Sequence, residues 1–186
     1  MKIRYVLLSL ICLLFFSIES KALSVDPQFT FGYDTSLTSQ SHQNIKGGSG
    51  LLLGGGVIVA LSDTYPQRFE LESNLTYKFQ TSEKENNTVA FRRTQWEILS
   101  CYHHTESNFR IGLGAALHSG IEFEGEGQNS YMNEKFKNVI GLTSLVEKRL
   151  GDQQSSIGLR YSTVSFKNDI RSIKGDSFGV FYRLYL

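Results

Sequence analysis

The sequence predicts an all-β fold: an eight-stranded antiparallel up-and-down transmembrane β-barrel. Three observations predict it. Eight segments alternate apolar and polar side chains with a period of two, the mark of a strand with two unlike faces. Their connections alternate in length, with tight turns at 62–66, 105–108 and 151–154 and longer polar stretches at 38–50, 82–87, 124–135 and 167–175. Short turns at one end and long loops at the other are the habit of outer-membrane barrels. The composition agrees: 13 Phe, 9 Tyr and 17 Gly against 2 Pro suit a chain made mostly of strands.

Each segment sorts its residues onto two faces. In the first, Phe29, Phe31, Tyr33 and Leu37 oppose Thr30, Gly32, Asp34 and Ser36. In the second, Leu51, Leu53, Val57, Val59 and Leu61 oppose Gly54, Gly56, Ile58 and Ala60. The third sets Phe69, Leu71, Leu75, Tyr77 and Phe79 against Glu70, Glu72, Asn74, Thr76, Lys78 and Gln80. In the fourth, Trp96, Ile98, Ser100 and Tyr102 share a face, but the phase slips between Phe91 and Thr94. A β-bulge, or a strand that has left the membrane, accounts for such a slip.

The fifth sets Phe109, Ile111, Leu113, Ala115, Leu117 and Ile121 against Arg110, Gly112, Gly114, Ala116, His118 and Glu122. The sixth sets Ile140, Leu142 and Val146 against Gly141, Thr143, Glu147 and Arg149. The seventh has Ile157, Leu159 and Tyr161 on one face, continued by Thr163 and Ser165. The eighth sets Phe178, Val180, Tyr182, Leu184 and Leu186 against Ser177, Gly179, Phe181, Arg183 and Tyr185. Segments of about ten residues match a tilted strand crossing a bilayer. The eighth resembles the terminal-strand signal read by the barrel assembly machinery, with Leu186 last where an aromatic is usual.

Residues 1–22 read as a signal peptide: Lys2 and Arg4, an apolar run from Val6 to Phe16, then Ser20 and Ala22 at the positions a signal peptidase reads. Residues 23–186 form the barrel domain. Cys12 lies in the signal, so Cys101 is left alone and no internal disulfide is possible. A net charge of +1 without a basic block argues against nucleic acid.

Alternation alone does not say which face is inside. A soluble barrel would bury its apolar face. Eight strands leave a lumen just wide enough for packed side chains, and the apolar phase carries too many Phe, Tyr and Leu to fit. The other phase offers glycines and charges of both signs, able to pair across a narrow interior. The expected order is therefore charges inside, aromatics toward lipid, in the outer membrane of a Gram-negative bacterium. The expected partners are outer-membrane lipids, with lipopolysaccharide among them. A lumen this charged argues against a pore.

Several motifs have structural explanations. Gly54-Gly55-Gly56 lacks the Lys-Ser/Thr of a phosphate loop. His103 and His104 are neighbours on a strand and point to opposite faces, so they cannot share a metal. His118 is expected to take a lumen hydrogen bond near Glu122. No cofactor or metal site is expected.

Phe109 to Gly120, Ile157 to Ser165 and Asp176 to Leu186 together resemble the PagL family. The likeness is strongest over the C-terminal half. That resemblance implies an eight-stranded outer-membrane barrel whose outer wall carries a serine hydrolase triad that deacylates lipid A. By the same resemblance Ser165 stands at the nucleophile and Asp176 at the acidic member. Thr163 stands where the family has its histidine base, and Phe166 where it has an asparagine implicated in oxyanion stabilisation. A serine hydroxyl is a weak nucleophile until a base takes its proton, and threonine does not do this near neutral pH. Of the histidines, only His42 in the first long loop could approach the site, by folding over the rim. The expectation is a deacylase-like shell without an intact triad, with a structural or loop-mediated binding role. The alternative is an active acyl-ester hydrolase using Ser165 and a base not recognised in the sequence.

Overall fold

The computed structural model describes residues 25–36, 49–84, 87–127, 130–151, 154–169 and 172–186. The signal segment, Leu37, His42 and most of the first long loop lie outside them. The strands are β1 (Val25–Ser36), β2 (Gly50–Thr64), β3 (Gln67–Lys84), β4 (Asn87–His104), β5 (Phe109–Gly127), β6 (Ser130–Phe136), β7 (Val139–Arg149), β8 (Ser155–Thr163), β9 (Ser165–Lys167), β10 (Ser172–Lys174) and β11 (Ser177–Tyr185). β6 runs into β7, β8 into β9 and β10 into β11, each across one or two non-strand residues. The result is eight staves.

Every neighbouring pair is antiparallel. The order β4-β3-β2-β1-β11-β8-β7-β5 closes through a β4–β5 pairing. β1 meets β11 with Tyr33 opposite Val180. Closure leaves no edge for lipid to meet, the condition for any sheet that crosses a bilayer.

The two phases fall as the alternation predicts through the lower barrel. Phe29, Phe31, Tyr33, Leu75, Tyr77, Trp96, Ile98, Leu113, Leu142, Leu159, Phe178 and Val180 are all exposed on the outer wall. Inside, among the described residues, five buried carboxylates (Asp34, Glu70, Glu72, Glu97 and Glu147) match five buried cations (Lys78, Arg93, Arg110, Arg160 and Arg183). This is a soluble protein turned inside out. Water solvates such a wall poorly, lipid well.

The lumen charges are paired rather than merely mixed. Arg110 reaches Glu70 at 2.6 Å, Glu72 at 2.6 Å and Glu147 at 3.2 Å. Arg183 reaches Glu72 at 2.9 Å and Glu147 at 2.7 Å. Lys78 meets Asp34 at 2.6 Å, and Arg160 grips Glu97. Desolvated charges are tolerated only in such company. Glycine makes the room. A Cβ at Gly114 would stand 1.9 Å from the Ile98 carbonyl oxygen and 2.7 Å from the Leu99 Cα, so no other residue fits that cross-strand approach.

Toward the loop end the polarity inverts, and two expectations are corrected. Ile121, expected on the lipid face, is buried inside, and Glu122, expected inside, lies outside. The cause is a bulge in β5. Gly120 takes φ +56°, and the β4–β5 register shifts between Arg92 and Thr94. Glycine adopts that conformation at no steric cost. β4 itself keeps its phase: Phe91, Arg93, Gln95 and Glu97 all point inward. The slip read near Phe91 is thus a change of surroundings, with the extra residue on the partner strand.

Above this level the interior is apolar, with Phe91, Ile121, Phe123, Phe136, Val164 and Phe166 packed together. The outside is charged. Arg92 bridges Glu122 and Glu124, and Lys135 adds a 3.2 Å pair to Glu122. Hydrogen bonds from Lys135 and Arg92 hold the Glu122 carboxyl below its usual range. This collar follows the logic of a soluble protein, so it stands in water above the bilayer. Arg93 marks the junction, its guanidinium 4.9 Å from the Phe166 ring centre. The stretches 82–87 and 124–135, expected as loops, are strand at every described residue, and 167–175 is strand at Lys167 and over Ser172–Lys174. They continue the hairpins into the collar.

Candidate functional site

The outer wall where β8, β9, β10 and β11 meet carries the candidate residues. Along β8 the outward side chains are Ile157, Leu159 and Tyr161, followed by the half-buried Thr163. On β11 the outward series begins with Phe178, which pairs with Tyr161. Asp176, just before that strand, therefore lies beside Thr163. The Thr163 hydroxyl donates to Asp176 Oδ1 at 2.8 Å, and the Val164 N–H donates to the same oxygen at 3.1 Å. Gly175 N–H donates to the Val164 carbonyl at 2.9 Å. Asp176 therefore does for a strand break what a ladder partner does elsewhere: it satisfies a backbone donor where β8 ends.

Ser165 lies on the next outward position, at the start of β9. Its hydroxyl is 2.9 Å from that of Ser172. The structure brings Thr163 and Asp176 together and joins Ser165 to a second serine. These are two separate hydrogen-bonded pairs rather than one chain of three.

The histidines lie elsewhere. His103 is buried in the lumen at the turn end, 3.4 Å from Glu70. Its neighbour His104 sits at the turn, its Nδ1 accepting from the Ser107 N–H at 3.2 Å. The two rings lie apart, as strand parity requires. His118 is buried on the inner face with neither ring nitrogen hydrogen-bonded. The expected lumen hydrogen bond near Glu122 is absent because the Gly120 bulge has carried Glu122 outside. His118 instead meets the Phe166 ring edge-on, with centroids 5.7 Å apart. The barrel wall thus separates His118 from Ser165. His42 lies outside the described residues.

Phe166 is fully buried in the apolar collar. The residue after Ser165 points inward by parity, so its side chain cannot serve a group on the outer wall. With hydroxyls and a carboxylate already holding a backbone N–H, the arrangement can orient and hydrogen-bond, and no described histidine lies beside Ser165.

Sequence reasoning missed one feature of this wall. β9 reads Ser-Phe-Lys and β10 reads Ser-Ile-Lys. They pair antiparallel, with Ser165 opposite Lys174 and Lys167 opposite Ser172. The repeated serine–apolar–lysine triplet was visible in 165–174, but everything from Lys167 on reads as loop.

No protein-family model matches the chain, and no curated protein matches it in sequence. Among solved structures the chain is similar in outline to Ail, the attachment invasion locus protein and an outer membrane protein of Yersinia pestis. The identity is 10% over 87% of this chain and 97% of that one, with a TM-score of 0.48. It is also similar to Neisserial surface protein A, at 16% identity over 88% of this chain and 99% of that one, with a TM-score of 0.44. Likeness at this level says nothing of what this chain binds or does. The eight-stranded barrel stands on the chain's own strand order.

Proposed function

We propose that this chain is a small outer-membrane barrel of a Gram-negative bacterium with the shell of a lipid A deacylase and without its chemistry. Its role is then structural, or is carried by the segments at its loop end. A rigid barrel presenting variable loops is a common way to place recognition outside a membrane.

The observation that supports this reading is the Thr163–Asp176 hydrogen bond. At the position where the resemblance would put a histidine base, a threonine donates to the carboxylate, and Asp176 also accepts from the Val164 N–H. The second support is Phe166, which turns away from the wall into the collar. The loss of one oxyanion donor alone lowers rates by about 10²–10³, and the loss of the base adds to that. The filled lumen argues against a pore, since its charges meet partners across the barrel.

The test is mass spectrometry of lipid A from cells that do and do not produce the protein in their outer membrane. The expected result is the same acyl-chain count in both. Loss of one acyl chain, abolished by Ser165→Ala, would overturn the proposal and make the chain a hydrolase.

A further inference from the structure

We propose that the β9–β10 ribbon is a hinged cap over the loop-end mouth of the barrel, one that opens while the eight staves stay paired. The cap works inside the collar, so it stands whatever chemistry the outer wall has.

Topology sets the ribbon apart. Every other strand belongs to the barrel sheet, whereas β9 and β10 form a two-stranded sheet of their own. Each strand contributes three residues, with Ser165 opposite Lys174, Phe166 opposite Ile173 and Lys167 opposite Ser172. A lone hairpin is marginal by itself in water. What keeps this one in place is therefore its contacts with the collar.

Those contacts are of three kinds. Opposed residues of an antiparallel pair project to one face, so Phe166 and Ile173 lie side by side. Both join the apolar cluster of Phe91, Ile121, Phe123 and Phe136. Along one flank the Lys137 N–H donates to the Lys167 carbonyl at 3.0 Å, and Asn168 Nδ2 donates to Glu134 Oε2 at 3.2 Å. At the root Asp176 acts as a latch. Its Oδ1 takes the Thr163 hydroxyl at 2.8 Å and the Val164 N–H at 3.1 Å, where the chain leaves β8.

The root is also where the ribbon can turn. Val164 interrupts the strand on one side, and Gly175 and Asp176 interrupt it on the other. Gly175 sets the fit of the closed state. A Cβ there would stand 2.3 Å from Phe166 Cε2 and 2.9 Å from Val164 Cγ1, so a methyl at this position holds the ring out of its seat.

A ribbon swung outward uncovers the apolar chamber of the collar. Arg93 lies at its floor, 4.9 Å from the Phe166 ring centre, and His118 lies beside it, 5.7 Å from the same ring. The staves lose no ladder, because among the described residues the ribbon belongs to none of them. Opening is then a local event with a free energy below that of unfolding the barrel. Lower down, Leu99, Cys101, Leu145 and Phe181 pack across the lumen. The cap thus guards a closed chamber, not a channel.

The test places a thiol under the cap. Ile121→Cys does so in the full barrel held in phosphatidylcholine nanodiscs, and the native Cys101, 1% exposed in the lower lumen, is the internal control. A water-soluble maleimide is expected to label position 121 slowly and to leave Cys101 unlabelled. Adding Asp176→Ala removes two hydrogen bonds to a charged acceptor. It is expected to speed labelling at position 121 by about tenfold to a hundredfold. Gly175→Ala is expected to act in the same direction, and Cys101 to stay unlabelled in both.

Labelling at position 121 no faster than at Cys101 would overturn the proposal. So would an Asp176→Ala variant that leaves position 121 unchanged or speeds both thiols alike. Hydrogen exchange of the unaltered chain needs no variant to fold. The amides of 165–167 and 172–174 are expected to exchange together and ahead of those of β3 and β4. Exchange in step with β3 and β4 would mean that the ribbon opens only when the barrel does, and would refute the cap.

Discussion

Arg110→Ala is expected to destabilise the folded barrel by about 3–5 kcal/mol. Arg110 is fully buried and touches three fully buried carboxylates, Glu70, Glu72 and Glu147. Its removal leaves Glu72 with Arg183 and Asn74, Glu147 with Arg183 and Tyr185, and Glu70 with Arg68 and His103. The magnitude comes less from attraction lost than from carboxylates stranded in a dry interior. Arg110→Lys keeps the charge but not the fork that meets three partners, so it recovers only part of the loss. Breaking the exposed Arg92–Glu122 pair of the collar, by contrast, is expected to change stability by no more than about 1 kcal/mol. The check is the urea midpoint for the barrel in phospholipid vesicles. A loss for Arg110→Ala as small as that for the collar pair would show that the lumen network does not hold the barrel.

The second large effect lies on the outside. Leu113 is 65% exposed and sits mid-way along the outward series of β5. On a soluble protein, replacing a residue that exposed by arginine changes stability by roughly ±0.5 kcal/mol. On a wall facing the bilayer midplane the same change costs about 2–4 kcal/mol. The two expectations differ several-fold, so Leu113→Arg in the same vesicle assay reports which solvent the wall meets. A neutral or favourable outcome would mean that β5 faces water.

Much of this barrel was legible in the sequence because one rule holds along most of each strand. From Phe29 to Tyr33, Phe69 to Tyr77, Phe109 to Leu117 and Phe178 to Leu184, strict alternation separates a lipid face from a charged one. The rule fails where the solvent changes. Above Gly120 the outside meets water, so apolar residues turn inward and charged ones outward. A reader following the lipid pattern therefore sees a slip at Phe91 and puts Ile121 and Glu122 on the wrong faces. Nothing short of the Gly120 conformation reveals the extra residue in β5. The collar hairpins read as loops for the same reason: their outward residues are polar and their period is short.

The candidate site was legible in part. Parity places Thr163, Ser165 and Asp176 on one wall. It does not say which of them touch, and the structure pairs Asp176 with Thr163 and Ser165 with Ser172. That pairing depends on the break at Val164, which no local residue preference announces. The β9–β10 pairing was foreshadowed by two like serine–apolar–lysine triplets, but their antiparallel register is not legible in the chain.

The most direct measurement is the fractionation of cells producing the full chain, with gel migration compared before and after boiling. A closed barrel with a lipid-facing wall is expected in the outer-membrane fraction, with a band that shifts on boiling as the sheet unfolds. Recovery as a soluble periplasmic protein would contradict it, because the aromatic wall would then face water.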